Sequence, residues 1–518
     1  MWVAGLIAAF AHAQNMNDVF HYNQSGVNGT ARYMATSGVI SQIGADLSAV
    51  ADNPAGAAAF VANRISWTPT AFNNSNTGIY NGNARYSDAN SIFSKPFYTN
   101  QWGVALPYVS DQKKWNKIAF GITGRADYHY LNRIKAGGEA AAMQSLAHYF
   151  AYQADGVPTA DLQIYEGETV DEVYRWLGEN YGSYAQQAFL AYQAYVIDPA
   201  SDDSLNSAYV TNAYFSHPLT HGIDQTLEGK KFSHDVFFAA EYDKKLSVGV
   251  SLTIRKMNFT NRRTITETGY DSDSPLQYMQ YATVLENEAG GLQMKFGLLY
   301  KAVKNLKIGL SYHSPTWWEN EETTRESLHT EVLDIDDLDN DNNTNEINVF
   351  DIAPQVENVY DKYTYMEPGR WQAGFSYTFP KTGFIAADYT YRDWRMTHFS
   401  DPDGNPDDQA YFDYLNDLIK ETYTAQHRIR VGGELKLQEW AVRLGMFNTT
   451  SPFKNAKEYG TRGYSFGLGY DFGNLEVDLG WIHSKKKYRE QLFPVGLTTR
   501  YSVTNIRNKY VVTFRYNF

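Results

Sequence analysis

The sequence predicts an all-β protein, a 14-stranded antiparallel β-barrel that spans a membrane, and three observations lead to this prediction. Segments of alternating apolar and polar residues recur along the chain, and very short turns alternate with long polar loops. The 518 residues are 15% aromatic, with 40 Tyr and 11 Trp, yet the mean hydropathy is only -0.48. A helical membrane protein needs apolar runs of about 18 residues or more. A barrel hides its apolar residues in alternation, which keeps the average polar.

The clearest alternating segment is the last one, which reads YVVTFRYNF. Side chains of a strand alternate between its two faces, so one face here is aromatic and apolar and the other is mostly polar. An exposed face of this kind would promote aggregation of a soluble edge strand but suits contact with lipid. The segment resembles the closing strand of an outer-membrane barrel, in which Tyr516 and the terminal Phe518 would be read by the barrel assembly machinery. Comparable alternation begins at residues 246, 292, 306, 371, 440 and 464.

The connections give an independent count of the strands. Short turns lie near residues 111–114, 243–245, 304–305, 380–383, 438–439 and 473–474. Long polar stretches lie near residues 72–96, 131–230, 263–287, 317–361, 397–420, 450–461 and 488–502. Six turns and seven loops join fourteen strands, and an even count leaves both chain ends on the periplasmic side.

The chain divides into three predicted parts. Residues 1–13, MWVAGLIAAFAHA, end in the A-x-A pattern of a secretory signal peptide, although no basic residues precede the apolar stretch. Residues 14–60 lack alternation and are rich in Gly, Ala, Ser and Asn. A barrel of fourteen strands encloses more space than its own side chains fill. We therefore expect residues 14–60 to form a hatch inside the lumen, and residues 61–518 to form the barrel.

Charge and cysteine content exclude several classes of protein. The net charge of -13 argues against a nucleic acid as partner. The absence of cysteine excludes disulfides and thiolate metal sites.

The long loop at residues 131–230 carries helical signals. Thr169 and Glu172 form a capping-box pattern before an apolar stripe. Helices outside the barrel would form a capture site for an apolar ligand, a packed surface cap, or a docking face for another protein.

An acidic loop gives one possible metal site. Asp337, Asp339 and Asp341 match the start of a calcium-binding loop, but Asn342 and Asn348 replace the expected Gly and Glu. A solvated acidic loop is the alternative, and no other cofactor is expected.

The first 60 residues resemble the amino-terminal hatch of the FadL-type outer-membrane transporters, which carry long-chain fatty acids and aromatic hydrocarbons. The resemblance rests on Ser25-Gly26, Ala31-Arg32, Gly44-Ala45-Asp46 and a segment that contains Asn53-Pro54-Ala55-Gly56 just before the first strand. It implies that a ligand caught by the outer loops passes to a pocket inside the barrel. A shift of the hatch at Asn53, Pro54, Ala55 and Gly56 then opens a path.

In this family the path often leads sideways through a kinked third strand. Here that strand is predicted near residues 117–130, with Gly121 and Gly124 in its interior. Glycine permits a kink or bulge in a strand, but lumen-facing glycine is also ordinary in barrels.

Several charged residues fall on predicted lumen faces, among them Arg392, Arg428, Arg430 and Arg443. An inward arginine could hold a fatty-acid carboxylate. The structural alternative is that these arginines pair with acidic residues across the barrel or on the hatch, such as Asp46 and Asp52.

The function predicted from the sequence is passive uptake of hydrophobic compounds across the outer membrane of a Gram-negative bacterium, without enzymatic activity. The expected partners are a hydrophobic small molecule or lipid, the membrane lipids, the assembly machinery and, through the outer loops, a protein. The alternatives are a partner-binding barrel in secretion or surface-lipid assembly, and an open porin for polar solutes.

Overall fold

The computed structural model describes residues 16–90, 97–110, 114–333, 346–454, 456, 458–493 and 495–518. The predicted signal peptide, residues 1–13, and the three calcium-site aspartates lie outside these residues.

Fourteen antiparallel strands form a closed barrel, as the sequence predicts. We number them in chain order: β1 Arg64–Tyr80, β2 Tyr98–Val109, β3 Trp115–His129, β4 Thr220–Tyr242, β5 Leu246–Thr268, β6 Leu276–Val303, β7 Leu306–His313, β8 Arg370–Phe379, β9 Gly383–Asp393, β10 Ala425–Leu437, β11 Trp440–Thr450, β12 Gly460–Asp471, β13 Leu475–Gln491 and β14 Arg500–Asn517. Each strand pairs with the next one in the series. The barrel closes where β14 pairs with β1, from Asn517 opposite Arg64 to Tyr501 opposite Tyr80.

The alternation in the sequence becomes the two faces of the barrel wall. On β14, the aromatic side chains of Phe514 and Tyr516 are exposed on the outside, whereas Thr513 and Arg515 are buried in the lumen. The terminal Phe518 is exposed as well. The same exposed apolar face recurs on the other strands, and this outward apolar band around a closed barrel is the architecture of Gram-negative outer-membrane proteins.

The two ends of the barrel differ in their connections. Short turns join the strands at one end, and in the turn between β4 and β5 Asp243 and Lys244 have φ of 50° and 55°, the left-handed geometry that closes a tight hairpin. At the other end the strands run on past the apolar band. Residues 263–287 were predicted as a loop, but most of them belong to β5 and β6. Polar residues pair in a strand ladder as well as apolar ones do, so polarity marks where a strand leaves the lipid and not where its pairing ends.

Further strands and helices build a crown on the long-loop side. Its strands are Asn83–Asn90, Asn132–Glu139, Ile197–Pro199, Tyr209–Thr211, Thr316–Leu333, Ile347–Ile352, Asn358–Val359, Tyr363–Glu367 and His398–Ser400. Its helices are Leu146–Ala154, Val170–Asn180, Ser183–Gln193 and Pro406–Thr422, with short 3₁₀ helices at Thr159–Leu162 and Trp394–Met396. The capping box of Thr169 and Glu172 is present. The loop predicted at residues 131–230 is shorter than expected, because β4 already begins at Thr220.

Short helices before β1 occupy the lumen. They are α1 Met16–Tyr22, α2 Ala31–Ala35 and α3 Leu47–Val50, with 3₁₀ helices at Val39–Gln42 and Pro54–Ala59. Almost every described side chain from Val19 to Phe60 is buried. No helix among the described residues is both long and apolar enough to cross a membrane.

Candidate internal binding site

The segment Asn53-Pro54-Ala55-Gly56 lies against the barrel wall at the point where the chain approaches β1. The Asn53 side chain accepts a hydrogen bond from the Ala55 amide at 3.2 Å and donates one to the carbonyl of Leu298 on β6 at 3.4 Å. The wall is open to this segment because Gly249 and Gly297 face it. A Cβ on Gly249 would lie 2.4 Å from the Ala55 nitrogen, and one on Gly297 would lie 2.1 Å from Asn53 Oδ1.

Asp52, next to this segment, anchors the hatch to three strands. Its carboxylate accepts hydrogen bonds from Arg125 on β3 at 3.1 Å and from Arg370 on β8 and Arg430 on β10 at 3.2 Å. Burial alone would raise the pKa of the Asp52 carboxyl, but the neighbouring guanidinium groups hold this pKa well below its usual value. The hatch is therefore fixed to the barrel by a charged group that stays ionised.

Most of the predicted lumen arginines are committed to acidic partners. Arg443 bonds Glu434 at 2.7 Å and Asp478 at 2.5 Å. Arg392 bonds Glu367 at 3.1 Å. Arg430 bonds Asp388 at 2.8 Å in addition to Asp52. These three arginines therefore pair with acidic residues, which is the structural alternative to holding a ligand. Asp46 forms no such ion pair with the residues that the structure describes, and its carboxylate accepts the Ser48 amide at 2.9 Å at the start of α3.

Arg428 is the exception among the four arginines. Its guanidinium donates to the hydroxyls of Thr449 at 3.1 Å and Ser25 at 3.3 Å, and it forms no ion pair within the described residues. It lines a cavity of about 90 Å³ in the half of the lumen nearer the crown, which we call the outer cavity.

The outer cavity is cationic. Its basic side chains are Arg428, Lys486, Lys487, Arg507 and Lys509, and none of its described lining residues is Asp or Glu. Arg507 is only 4% exposed and donates to Asn74, while its Nη2 has no hydrogen-bond partner among the described residues. Lys509 donates to the side-chain oxygen of Asn28. Within the described part of the chain, the contacts of Arg428, Lys486, Arg507 and Lys509 are with neutral oxygens and aromatic faces and not with carboxylates.

Aromatic side chains line the rest of the outer cavity. The Lys486 nitrogen lies 4.2 Å from the ring centroid of Phe20, and the Arg507 guanidinium lies 4.9 Å from that of Tyr128. Rings from the crown side complete the lining: Trp394, Phe453 and Tyr459. A cationic wall next to an aromatic one fits a molecule with an anionic head and an apolar tail.

A second cavity of about 30 Å³, the inner cavity, lies next to the outer one. Ser25, Gly26 and Arg428 line both. Its other charged residues are Asp52, Asp127, Glu367, Arg125, Arg255, Lys295, Arg370, Arg392 and Arg430. The inner cavity therefore also has an excess of positive charge, but there the acidic residues share it.

The third strand is distorted at Asp127 and not at the two glycines. The register of β3 against β4 shifts between Ala126 and Tyr128, whereas Gly121 and Gly124 are paired with residues of both neighbouring strands. The Asp127 carbonyl, freed by this bulge, accepts hydrogen bonds from the Gly26 amide at 3.1 Å and from Asn28 Nδ2 at 2.8 Å. The hatch is thus bonded directly to the bulge.

Among the residues that the structure describes, no group of three or more His, Asp or Glu side chains has the arrangement of a metal site. The predicted calcium loop falls outside those residues and stays a prediction.

Comparison of the sequence with protein-family models and with curated proteins finds no match. Among solved structures, a FadL homologue of Pseudomonas aeruginosa aligns with a TM-score of 0.51 and 11% identity, over 95% of this chain and 99% of that one. The toluene transporters TodX of Pseudomonas putida and TbuX of Ralstonia pickettii each give a TM-score of 0.49 and 13% identity, over 95% of this chain and 99% of theirs. The chain therefore has the fold of the FadL-type barrels.

Proposed function

We propose that this chain, with its FadL-type fold, mediates passive uptake of hydrophobic compounds across the outer membrane. We further propose that it favours amphiphiles with a carboxylate, such as long-chain fatty acids, over uncharged aromatic hydrocarbons. The observation that carries this proposal is the outer cavity, where aromatic rings adjoin cations for which the described residues supply no acidic partner. Burying unpaired charge is costly, and an anionic ligand would compensate it.

In this proposal the ligand leaves the outer cavity near the bulge of β3. Pairing of β2 with β3 ends at Gln101 and Arg125, so residues 126–129 have no partner on β2. Phe72, Tyr98 and His129 fill the space there with aromatic contacts at 5.1 to 5.6 Å. Gly121 and Gly124 lie within the continuous ladder, so we assign the opening to the region around Asp127 instead.

The alternatives fit the molecule less well. The buried hatch leaves little room for the free diffusion that an open porin requires. The crown helices pack into one large apolar cluster that includes Phe20 of α1, which favours a cap on the internal path over a surface for recruiting proteins. In this proposal the chain acts as a transporter and has no enzymatic activity.

The proposal is tested by competition between two probes of similar length, a long-chain fatty acid and an alkylbenzene. Native mass spectrometry of the purified protein should show the fatty acid bound first, with the alkylbenzene binding only when the acid is absent. Equal retention of both probes would contradict the preference for a carboxylate and would favour a channel for hydrophobic compounds in general. If neither binds and the intact protein conducts ions freely in planar bilayers, the porin alternative replaces it.

A further inference from the structure

The cations of the outer cavity do more than line it, because three of them hold one segment of the hatch. Lys486 donates to Gln24 Oε1, Arg428 to the Ser25 hydroxyl and Lys509 to Asn28 Oδ1. The three residues lie in residues 24–28, which we call the latch segment. Each cation comes from a different strand, β13, β10 and β14, so the segment is bound across the barrel.

The same segment covers the bulge of β3 and separates the two cavities. Its Gly26 amide and the Asn28 side chain both donate to the Asp127 carbonyl, at 3.1 and 2.8 Å. Ser25 and Gly26 line the outer cavity on one side and the inner cavity on the other. Movement of the latch segment would therefore join the cavities and uncover the bulge together.

All three acceptors in the latch segment are neutral oxygens, which are weak partners for buried cations. A carboxylate forms shorter hydrogen bonds with lysine and arginine, about twice as strong as those between neutral groups. Its charge also compensates the cations in a way that an amide or hydroxyl cannot. A carboxylate that enters the outer cavity thus competes directly with Gln24, Ser25 and Asn28.

We propose that the head group of an anionic ligand releases the latch segment by taking Lys486, Arg428 and Lys509 away from it. This inference rests on the proposed function and adds the trigger: the charge of the ligand opens the partition, and its apolar tail does not. Once the latch segment has moved, the anion meets the cationic excess of the inner cavity, where Arg370 and Arg392 lie. An uncharged ligand of the same shape enters the outer cavity and leaves the latch segment in place.

Hydrogen–deuterium exchange of the backbone amides in the latch segment tests this proposal. It is read by mass spectrometry on the full-length protein in detergent and needs no attached probe. Saturating palmitate should speed exchange of peptides covering residues 24–28 by about tenfold or more, because the Gly26 amide loses its partner. Hexadecanol, which has the same chain length, should leave the rate unchanged. Binding of both probes is measured in parallel by native mass spectrometry.

Two variants sharpen the test. Lys486→Met with Lys509→Met should give fast exchange of the latch amides without any ligand, and palmitate should add nothing. Lys485→Met, on the neighbouring residue that lines neither cavity, is the matched control and should keep the wild-type response. If the double variant fails to fold, Asn28→Ala removes one cation contact and one bulge contact from the hatch side, and should also raise the basal exchange.

The outcomes separate this inference from the proposed function. Palmitate that is bound while the latch amides stay protected overturns the latch mechanism alone. Equal release by hexadecanol overturns the role of charge. If palmitate does not bind, the proposed function fails, and the latch mechanism fails with it.

Discussion

The two halves of the lumen satisfy their charges in different ways. Around the inner cavity and towards the short turns, arginines of the wall are paired with carboxylates: Arg443 with Glu434 and Asp478, and Arg430 with Asp388 and Asp52. Around the outer cavity, Arg428, Lys486 and Lys509 meet only neutral oxygens and rings among the described residues.

We interpret the paired charges as part of the structure and the unpaired cations as the site of the proposed ligand. A buried ion pair is stable only when both partners stay, and removing one leaves an uncompensated charge. The paired half therefore holds the hatch in place. The unpaired half keeps its cations at a cost in stability, which a bound anion would offset.

Removing residues 14–56 should abolish the difference between the halves, because both lose the hatch. We expect the truncated protein to conduct ions in planar bilayers, where the intact protein shows little conductance. Heat-modifiability on gels checks that the barrel still forms. Similar conductance of the two proteins would show that the hatch does not close the lumen.

Asp52→Asn should break the paired half. It leaves Arg125, Arg370 and Arg430 around a neutral side chain, and loss of one partner from a buried network costs about 3–5 kcal/mol. The free energy of unfolding in detergent, followed by tryptophan fluorescence, measures this loss. Asp224→Asn is the control, because Asp224 forms an exposed pair with Arg133 at 2.8 Å, worth at most about 1 kcal/mol. Equal effects of the two substitutions would argue against the anchoring role of Asp52.

Arg428→Met should break the unpaired half without harming the fold. Loss of a charged hydrogen bond to the ligand costs about 1.5–3 kcal/mol, which corresponds to roughly 10- to 150-fold weaker binding of a fatty acid. Binding of an alkylbenzene should be unchanged. Arg443→Met should behave in the opposite manner, lowering stability with little effect on the affinity of the folded protein. Titration calorimetry measures the affinity of both variants, and unfolding curves measure their stability. Weaker fatty-acid binding by Arg443→Met than by Arg428→Met would contradict the prediction.

Acidification should have the smallest effect. A carboxyl with a lowered pKa in the folded state contributes stability above its unfolded-state pKa, near 4, and loses it only as the pH falls through the folded value. The pKa of Asp52 lies well below its usual value, so the hatch should stay docked between about pH 7 and about pH 5. Conductance of the intact protein across this range measures docking. A rise at the acid end would mean that another group controls the hatch.

The sequence predicted the barrel well because alternation and turn spacing depend on local physics. Each lipid-facing strand needs its own apolar face, so the strand count can be read without tertiary information. The ends of the strands could not be read in this way. β6 spans 28 residues, and the outer part of it is polar, so it was predicted as loop.

The internal site was predicted only in part. Arg428 was singled out by its lumen-facing position, but the absence of an acidic partner for it in the described part of the chain depends on which strands face each other across the barrel. Lys486 lies in the run Lys485-Lys486-Lys487, which reads as a solvated charge cluster. The signal that could have identified it was the period-two pattern of β13, which puts Lys486 on the same face as the buried Tyr488 and Glu490. The bulge at Asp127 is a shift of one residue in register and leaves no mark in composition.

The most direct test of the central claim is an experimental structure of the protein with a bound long-chain fatty acid. We predict that its carboxylate lies within hydrogen-bonding distance of Arg428, Lys486 or Lys509, with the tail against Phe20 and Phe453. A carboxylate placed in the paired half would contradict the assignment of these cations to the ligand. An empty outer cavity in a structure determined at saturating fatty acid would contradict it as well.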